Sequence, residues 1–419
     1  MKIAIIGTGI SGLGAAYMLH NHHDITIFEK NDYIGGHSRT VTAKTDDGDV
    51  PVDTGFIVFN KKNYPLLTAL FRHLNVPIKE TDMSFGADIA QGWLEYGTYH
   101  KLGGIFAQKK NLLRPKYLKM LADIMRFNKD APEYLHKGTD LSLGELLDEM
   151  NLGTWFRDYY LLAMGAAIWS TPTTKMTDFP AQTFLRFFDN HGLLTVNHHP
   201  QWFTVIGGSK EYVKRITAPY QDNIKYNCAV KSVSRSDKGV TVTDIQNSQH
   251  MFDQVIFACH SDQVIEMLSD ASSQEQDIIG AIKYQPNDMV LHSDLSFMPK
   301  AKKAWSSWVY QSEGKTDNSG NVSLSYWMNN LQPLNTTTPV IVTLNPAREP
   351  NPALVYDRYS FDHPVFDQGA IDAQSKIDDV QGQNNTWYCG AWQRYGFHED
   401  GLLSAVNVVR KMGIEPEWI

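Results

Sequence analysis

Cysteine is scarce in this chain: Cys228, Cys259 and Cys389 are the only three in 419 residues, they lie far apart, and no C-x-x-C pair occurs. That spacing argues against a disulfide framework. No apolar run approaches the length of a membrane span, and the chain opens directly on a short strand, which leaves no room for a signal peptide. A soluble, cytoplasmic protein is therefore expected. Excess positive charge is missing too: 38 Lys and Arg stand against 46 Asp and Glu, a net charge of -8, which argues against wholesale nucleic-acid binding. His20, His22 and His23 cluster, and His198-His199 form a pair, but no carboxylate or cysteine stands at ligand spacing, so no metal is expected. Internal repeats and long linkers are also absent. What remains is a 42% hydrophobic chain long enough for two domains with substantial cores.

The first thing present is a nucleotide-binding order of elements. Lys2-Ile3-Ala4-Ile5-Ile6 is a β-branched run, and Gly7-Thr8-Gly9-Ile10-Ser11-Gly12 follows at once. A helical stretch over 13–19, a strand Ile25-Thr26-Ile27-Phe28 and the acid Glu29 complete it. Gly7 permits a tight turn, Gly9 lets backbone N–H groups approach a pyrophosphate, and Gly12 lets the helix pack on the strand. Glu29, followed by Lys30, stands where a carboxylate accepts from ribose hydroxyls. A second glycine turn comes soon after, Gly35-Gly36-His37-Ser38-Arg39, then Val52-Asp53-Thr54-Gly55-Phe56. Glycines so placed let backbone lie against a flat ring or a phosphate.

These pieces together resemble the FAD-dependent amine oxidase superfamily, which includes monoamine oxidases, phytoene desaturases and protoporphyrinogen oxidases. Its pattern runs G-x-G-x-x-G, acid, G-G-R turn, D-x-G segment and a C-terminal flavin motif. The last is matched by Trp387-Tyr388-Cys389-Gly390-Ala391-Trp392 and Gly396-Phe397-His398-Glu399-Asp400-Gly401-Leu402. The resemblance implies an α/β fold: a Rossmann-like FAD-binding domain from residues 1–75, 203–265 and 384–419, and a second α+β substrate domain from 76–202 and 266–383 with an antiparallel sheet and a helical cap. It implies non-covalent FAD, since no cysteine stands in the attachment position. It places the Val230 backbone against adenine, Cys259 near the dinucleotide, and Gly390, Asp400, Gly401 and Leu402 at the flavin, with the backbone of Gly401 and Leu402 as donors. The family's arginine after the glycine pair is His37 here, and Arg39 is expected to neutralise the pyrophosphate in its stead, while His37 is either a turn residue or a cofactor contact.

A narrower likeness, carried by Gly35-Gly36-His37, Ala167-Ile168-Trp169-Ser170, Gly207-Gly208-Ser209 and Gly396 through Gly401, is to bacterial NAD/FAD-binding proteins related to the N-terminal region of plant cyclopropane fatty acid synthases. It implies a hydrophobic, acyl-lipid substrate. Residues 224–233, 239–242 and 252–258 read as strands, and 141–150 as a helix capped by Ser142 with Glu145 three residues on. Short strands at 289–292, 305–311, 322–327 and 340–344 predict an antiparallel sheet, with an exposed hairpin loop at 314–320. Aromatics are dense between Trp155 and Trp202; most are expected in the core, the rest lining an apolar tunnel with Trp169 foremost.

Residues 105–124 read as a cationic helix interrupted at Pro115. Eight Lys and Arg between Lys101 and Lys129, with Asp123 the only acid, interleave with leucines. Over 109–126 this suggests peripheral contact at the inner membrane surface, or simply a solvated helix. Flavin chemistry needs a substrate C–H held at N5. His398 is the candidate to orient substrate or transfer a proton near neutral pH, with Tyr395 second. The expected activity is FAD-dependent oxidation of a lipid, with amine oxidation, or a flavin-bearing partner of a lipid-modifying methyltransferase, as the alternatives.

Overall fold

The strand Lys2–Ile6 lies at the centre of a five-stranded parallel sheet, between Asp24–Phe28 and Gln254–Phe257, with Ile224–Lys225 and Thr386–Tyr388 at the edges. The structure, a computed structural model, describes residues 1–169, 173–195, 199–315 and 323–419. Ser170, His198, Val322 and most of the expected hairpin loop at 314–320 lie outside the described residues. Ile3, Ala4 and Ile5 have no exposed surface, as expected of a parallel strand covered on both faces. Alternate residues serve two cores. Ile3 and Ile5 pack with Ala15, Leu19, Val406 and Val409 of the helices Ile10–Leu19 and His398–Lys411. Ala4 and Ile6 face Val233, Val240 and Val242 of a three-stranded antiparallel sheet.

That second cover corrects two expectations. Residues 224–233 are two strands, not one: Ile224–Lys225 joins the parallel sheet, and Val230–Ser236 starts the antiparallel one after Asn227 turns the chain at φ +50°. The run 252–258 divides likewise, Gln249–Phe252 in one sheet and Gln254–Phe257 in the other. Asp253 sits at the crossing, its N–H on the Lys2 carbonyl at 2.8 Å. A continuous apolar run carries no sign of which sheet each half joins.

The other large sheet has seven strands in the order Val355–Val365, Lys283–His292, Ile341–Leu344, Ser323–Trp327, Trp308–Ser312, Phe85–Ile89 and Leu94–Gly97. The four strands expected between 289 and 344 are there, but the sheet is wider and mixed, because Trp308–Ser312 pairs parallel with Phe85–Ile89. A small sheet of Phe59–Asn60, Trp202–Val205 and Ile78–Thr81 joins residues on either side of the boundaries expected at 75 and 202.

Helices cap the seven-stranded sheet over the largest core. Pro115 starts the helix Pro115–Lys137 instead of interrupting one, since its missing N–H is not needed at the first helical position. Tyr117, Met120, Asp123 and Phe127 form its inward face. Ser142 caps Leu143–Glu149 through the expected reciprocal bonds with Glu145, at 3.3 and 2.8 Å. Among the described residues no helix is long and apolar enough to cross a membrane.

Candidate active site

The cleft begins at the carboxyl end of the parallel sheet. A Cβ on Gly12 would lie 2.0 Å from the Gly7 carbonyl oxygen, so only glycine lets the helix start this close to the strand. Gly9 is the reverse case, with nothing within 4 Å of where its Cβ would be. No side chain caps the helix beginning at Ile10, which leaves the first-turn N–H groups of Ile10, Ser11 and Gly12 for a ligand in the open space above Gly9. The second glycine turn lies directly on the first: Gly35 donates to the Thr8 carbonyl at 3.0 Å, and a Cβ on Gly36 would come 3.1 Å from Gly9 Cα. Uncapped donors, a positive helix end and open space fit a dinucleotide pyrophosphate.

Glu29 stands at the end of the second strand, 6% exposed. Its carboxylate accepts from Thr8 N–H at 3.2 Å, Asn31 N–H at 2.9 Å and the Thr8 hydroxyl. Its carbonyl accepts from Cys228 N–H at 2.8 Å, which brings the chain leading to Val230 alongside. Lys30 is exposed, and its charge acts on His260 and Cys259; burial pushes the Cys259 thiol up to about 12.

The last helix joins the same site, with two adjustments. A Cβ on Gly401 would sit 2.8 Å from Ile10 Cγ2 and 3.0 Å from Ser11 Oγ, so the first turns of the two helices touch. Gly401 N–H, however, is bonded to the Phe397 carbonyl at 3.1 Å, and Leu402 is fully buried against Gly14. The Gly401 N–H expected to serve the cofactor is thus engaged within its own helix, whereas the first-turn N–H groups of His398, Glu399 and Asp400 have no partner there. Asp400 accepts from Phe397 N–H at 3.0 Å and so closes its own helix, and burial raises it to about 6. Gly390 N–H is held by Ser404 Oγ at 2.8 Å. Glu399, present in the motif but assigned no role there, accepts from Leu66 and Leu67 N–H at 2.8 and 2.9 Å and caps the helix Pro65–His73; burial lifts it to about 7.

Four imidazoles gather where these elements meet. His37 lies 5.5 Å from His363 and 6.1 Å from His260, ring to ring, and packs on Phe361 at 4.8 Å. His398 stacks on Phe56 at 4.0 Å, and its Nε2 meets Ser38 Oγ at 3.0 Å and the Tyr212 hydroxyl at 2.7 Å. Burial, reinforced by the neighbouring rings or by Lys30, lowers His37, His363 and His398 to about 3 and His260 to about 4. Burial thus works against His398 as a proton carrier near neutral pH and favours its neutral, hydrogen-bonding form.

His363 and Phe361 come from the edge strand Val355–Val365, whose alternate residues address the second glycine turn. Asp357 binds the Arg39 guanidinium at 2.6 and 3.3 Å, Tyr359 lies under the same cation and bonds the Tyr33 hydroxyl at 2.8 Å, and Phe361 and His363 meet His37. The charge of Arg39, expected on the pyrophosphate, is thus already balanced by a carboxylate. Thr54 N–H donates to the Arg39 carbonyl at 2.9 Å, Phe56 N–H to the His37 carbonyl at 2.8 Å, and Gly55 lies where a Cβ would strike that same oxygen. Period-two alternation from 357 to 363 was the available signal for this strand. Asp53 is a second missed hub: it accepts from the Thr40 hydroxyl at 2.6 Å, Ser209 N–H at 2.8 Å and the Gln332 amide at 2.8 Å.

Beyond His398 the packing turns aromatic, and its rings belong to the core under the helical cap. Trp169 packs on Phe179 at 5.0 Å and Phe187 at 4.7 Å. Phe187 in turn meets Phe397 at 5.2 Å, Tyr395 at 6.2 Å and His191 at 3.8 Å. Phe187, which the sequence did not single out, packs on both Trp169 and Tyr395.

Comparison with known proteins agrees with this geometry. AofH of Mycobacterium tuberculosis, described as a flavin-containing monoamine oxidase, is 26% identical over 262 residues, which cover 59% of this chain and 54% of AofH. The chain thus spans about half the length of the curated relative it matches. Among solved structures, a CLA-producing fatty acid isomerase from P. acnes superposes with a TM-score of 0.68 at 14% identity, over 97% of this chain and 98% of its own. Cyclohexylamine oxidase from Brevibacterium oxydans IH-35A gives 0.66 at 14% identity, over 98% and 99%. The pattern of the flavin containing amine oxidoreductase family matches residues 10–348. The chain belongs to that family, and its cofactor is FAD.

Proposed function

We propose that this protein is an FAD-dependent oxidoreductase that oxidises a hydrophobic, acyl-lipid substrate, with the FAD held non-covalently. The observation that carries the reading is the run of packed rings Trp169–Phe187–Phe397–Tyr395, an apolar cluster that reaches the start of the helix His398–Lys411. Glu399 and Asp400, the acids of that first turn, are engaged with backbone N–H groups, which leaves neither free as counter-ion for an ammonium group. Bound FAD supplies a hydride acceptor at N5. The chain's share is to orient the substrate C–H, exclude water along the rings and offer His398 as a neutral hydrogen-bonding group fixed by Ser38 and Tyr212. Cys389, wholly buried, is supported as a packing residue and not as an attachment point. The fatty acid isomerase and the likeness to the cyclopropane synthase region favour a lipid.

Amine oxidation is the second reading, favoured by the family and by AofH. Anaerobic mixing separates the two. Fatty acids or phospholipids should bleach the flavin absorbance, whereas bleaching by amines with none by lipids would sink the lipid reading. If neither bleaches it and a lipid methyltransferase co-purifies, the protein is a flavin-bearing partner.

A further inference from the structure

Away from the cleft, one face departs from ordinary surface. Asn111 is fully buried, with its amide directed to the Glu95 carbonyl at 3.4 Å, and Arg114 reaches the Trp93 carbonyl at 2.9 Å and Asn111 Oδ1 at 3.1 Å. These bonds fix the turn Lys109–Leu113 with its middle residue inward and the next two outward. Leu112 is 51% and Leu113 87% exposed; Leu102 nearby is 72% exposed. On the helix Pro115–Lys137, Leu118 and Met125 stand seven residues apart on the outer side, at 43% and 57%.

The fold adds charge that the sequence stretch does not contain. The turn Lys302–Ala304 packs on the helix Leu102–Ile105, where a Cβ on Gly104 would lie 2.9 Å from the Lys303 carbonyl. Lys302 and Lys303, both exposed, thereby join Lys101, Lys109, Lys110 and Lys116. Among the described residues none of these six has an ion-pair partner. The acids beneath are turned inward: Glu95 accepts from the N–H groups of Lys300 and Ala301, and Asp123 from that of Gly153. A chain of net charge -8 therefore carries a cationic face with bare leucines at its centre.

We infer that this face docks on an anionic lipid bilayer, the leucines entering the boundary between headgroups and acyl chains while the lysines meet lipid phosphates. Nucleic acid would use the lysines and leave the leucines in water. The inference stands whether or not the substrate is a lipid.

Co-sedimentation of the flavin-loaded protein with vesicles tests it. Binding is expected to phosphatidylcholine–phosphatidylglycerol vesicles, weakening as salt is raised, and not to phosphatidylcholine alone. The pair Lys109→Glu and Lys110→Glu should lower partitioning at least about tenfold, and Leu112→Ser with Leu113→Ser several-fold, with flavin content and melting temperature unchanged in both. Equal binding to neutral vesicles, no binding by the wild type, or variants that bind like it would overturn the inference. Binding to duplex DNA without binding to vesicles would overturn it in favour of a nucleic-acid face.

Discussion

The floor around the glycine turns and the wall of packed rings around Phe187 are made from different parts of the chain's chemistry. Around Gly9 the groups facing the open space are backbone: uncapped N–H donors, room where side chains would stand, and two helix ends in contact. Along Trp169, Phe187 and Phe397 they are side chains, held by one another. Backbone recognition demands glycine at fixed spacing, so it leaves a mark in the sequence. A wall of rings demands only bulk and apolarity, which many sequences satisfy.

If the two regions are separable, changes in the wall should cost stability while flavin stays, and changes in the floor should do the reverse. The largest effect is expected for Phe187→Ala, which removes a buried ring from the centre of the wall and should cost about 3–5 kcal/mol of unfolding free energy. Denaturant titration checks this, and flavin lost ahead of stability would break the comparison. Glu29→Ala comes next. Losing an ionised acceptor should weaken FAD retention at least about tenfold, and undiminished flavin content after purification would remove Glu29 from the site. Gly9→Ala should also shed flavin, yet leave the melting temperature of flavin-free protein unchanged, because its backbone is extended and its Cβ meets nothing.

Much of the floor was legible for this reason. Gly7, Gly9, Gly12, Glu29, Gly35 and Gly36 come together where their spacing implied. His260 and His363 were not legible, because each is a lone histidine in the sequence and only strand pairing carries them to His37. The edge strand Val355–Val365 escaped because its alternation is of polar and aromatic residues, not of apolar and polar. Arg39 was placed by its charge, and a carboxylate 318 positions away changes what that charge does. In the wall, composition announced rings without saying which of them touch.

Titration offers a smaller effect that sharpens the comparison. The buried imidazoles are lowered from 6.5 to about 3 or 4, so unfolding takes up protons as pH falls below 6.5, and stability drops by about 1.4 kcal/mol per pH unit for each proton. Asp53 and Asp400 are raised instead from 3.8 to about 6 and Glu399 from 4.5 to about 7, so their contribution has the opposite sign, is full below about 4 and is lost as pH rises from there to about 6 or 7. His37→Gln isolates one imidazole. Relative to wild type, flavin-free variant should gain stability steadily from pH 6.5 down to about 4, and a constant difference in melting temperature would show that His37 is not held neutral. The smallest effect on flavin content is expected for His398→Phe, which keeps the stack on Phe56 and should retain flavin with reduced turnover; full activity would end its candidacy.

The five-stranded sheet also sets a schedule. Its central strand is made first, at Lys2–Ile6, but the edge strand Thr386–Tyr388 and the helix His398–Lys411 that meets Ile10 and Ser11 come some 380 residues later. During synthesis the glycine turn must wait beside an unfinished sheet. The floor closes only when those later elements dock, so acquiring the cofactor reports that segments some 380 residues apart have found each other.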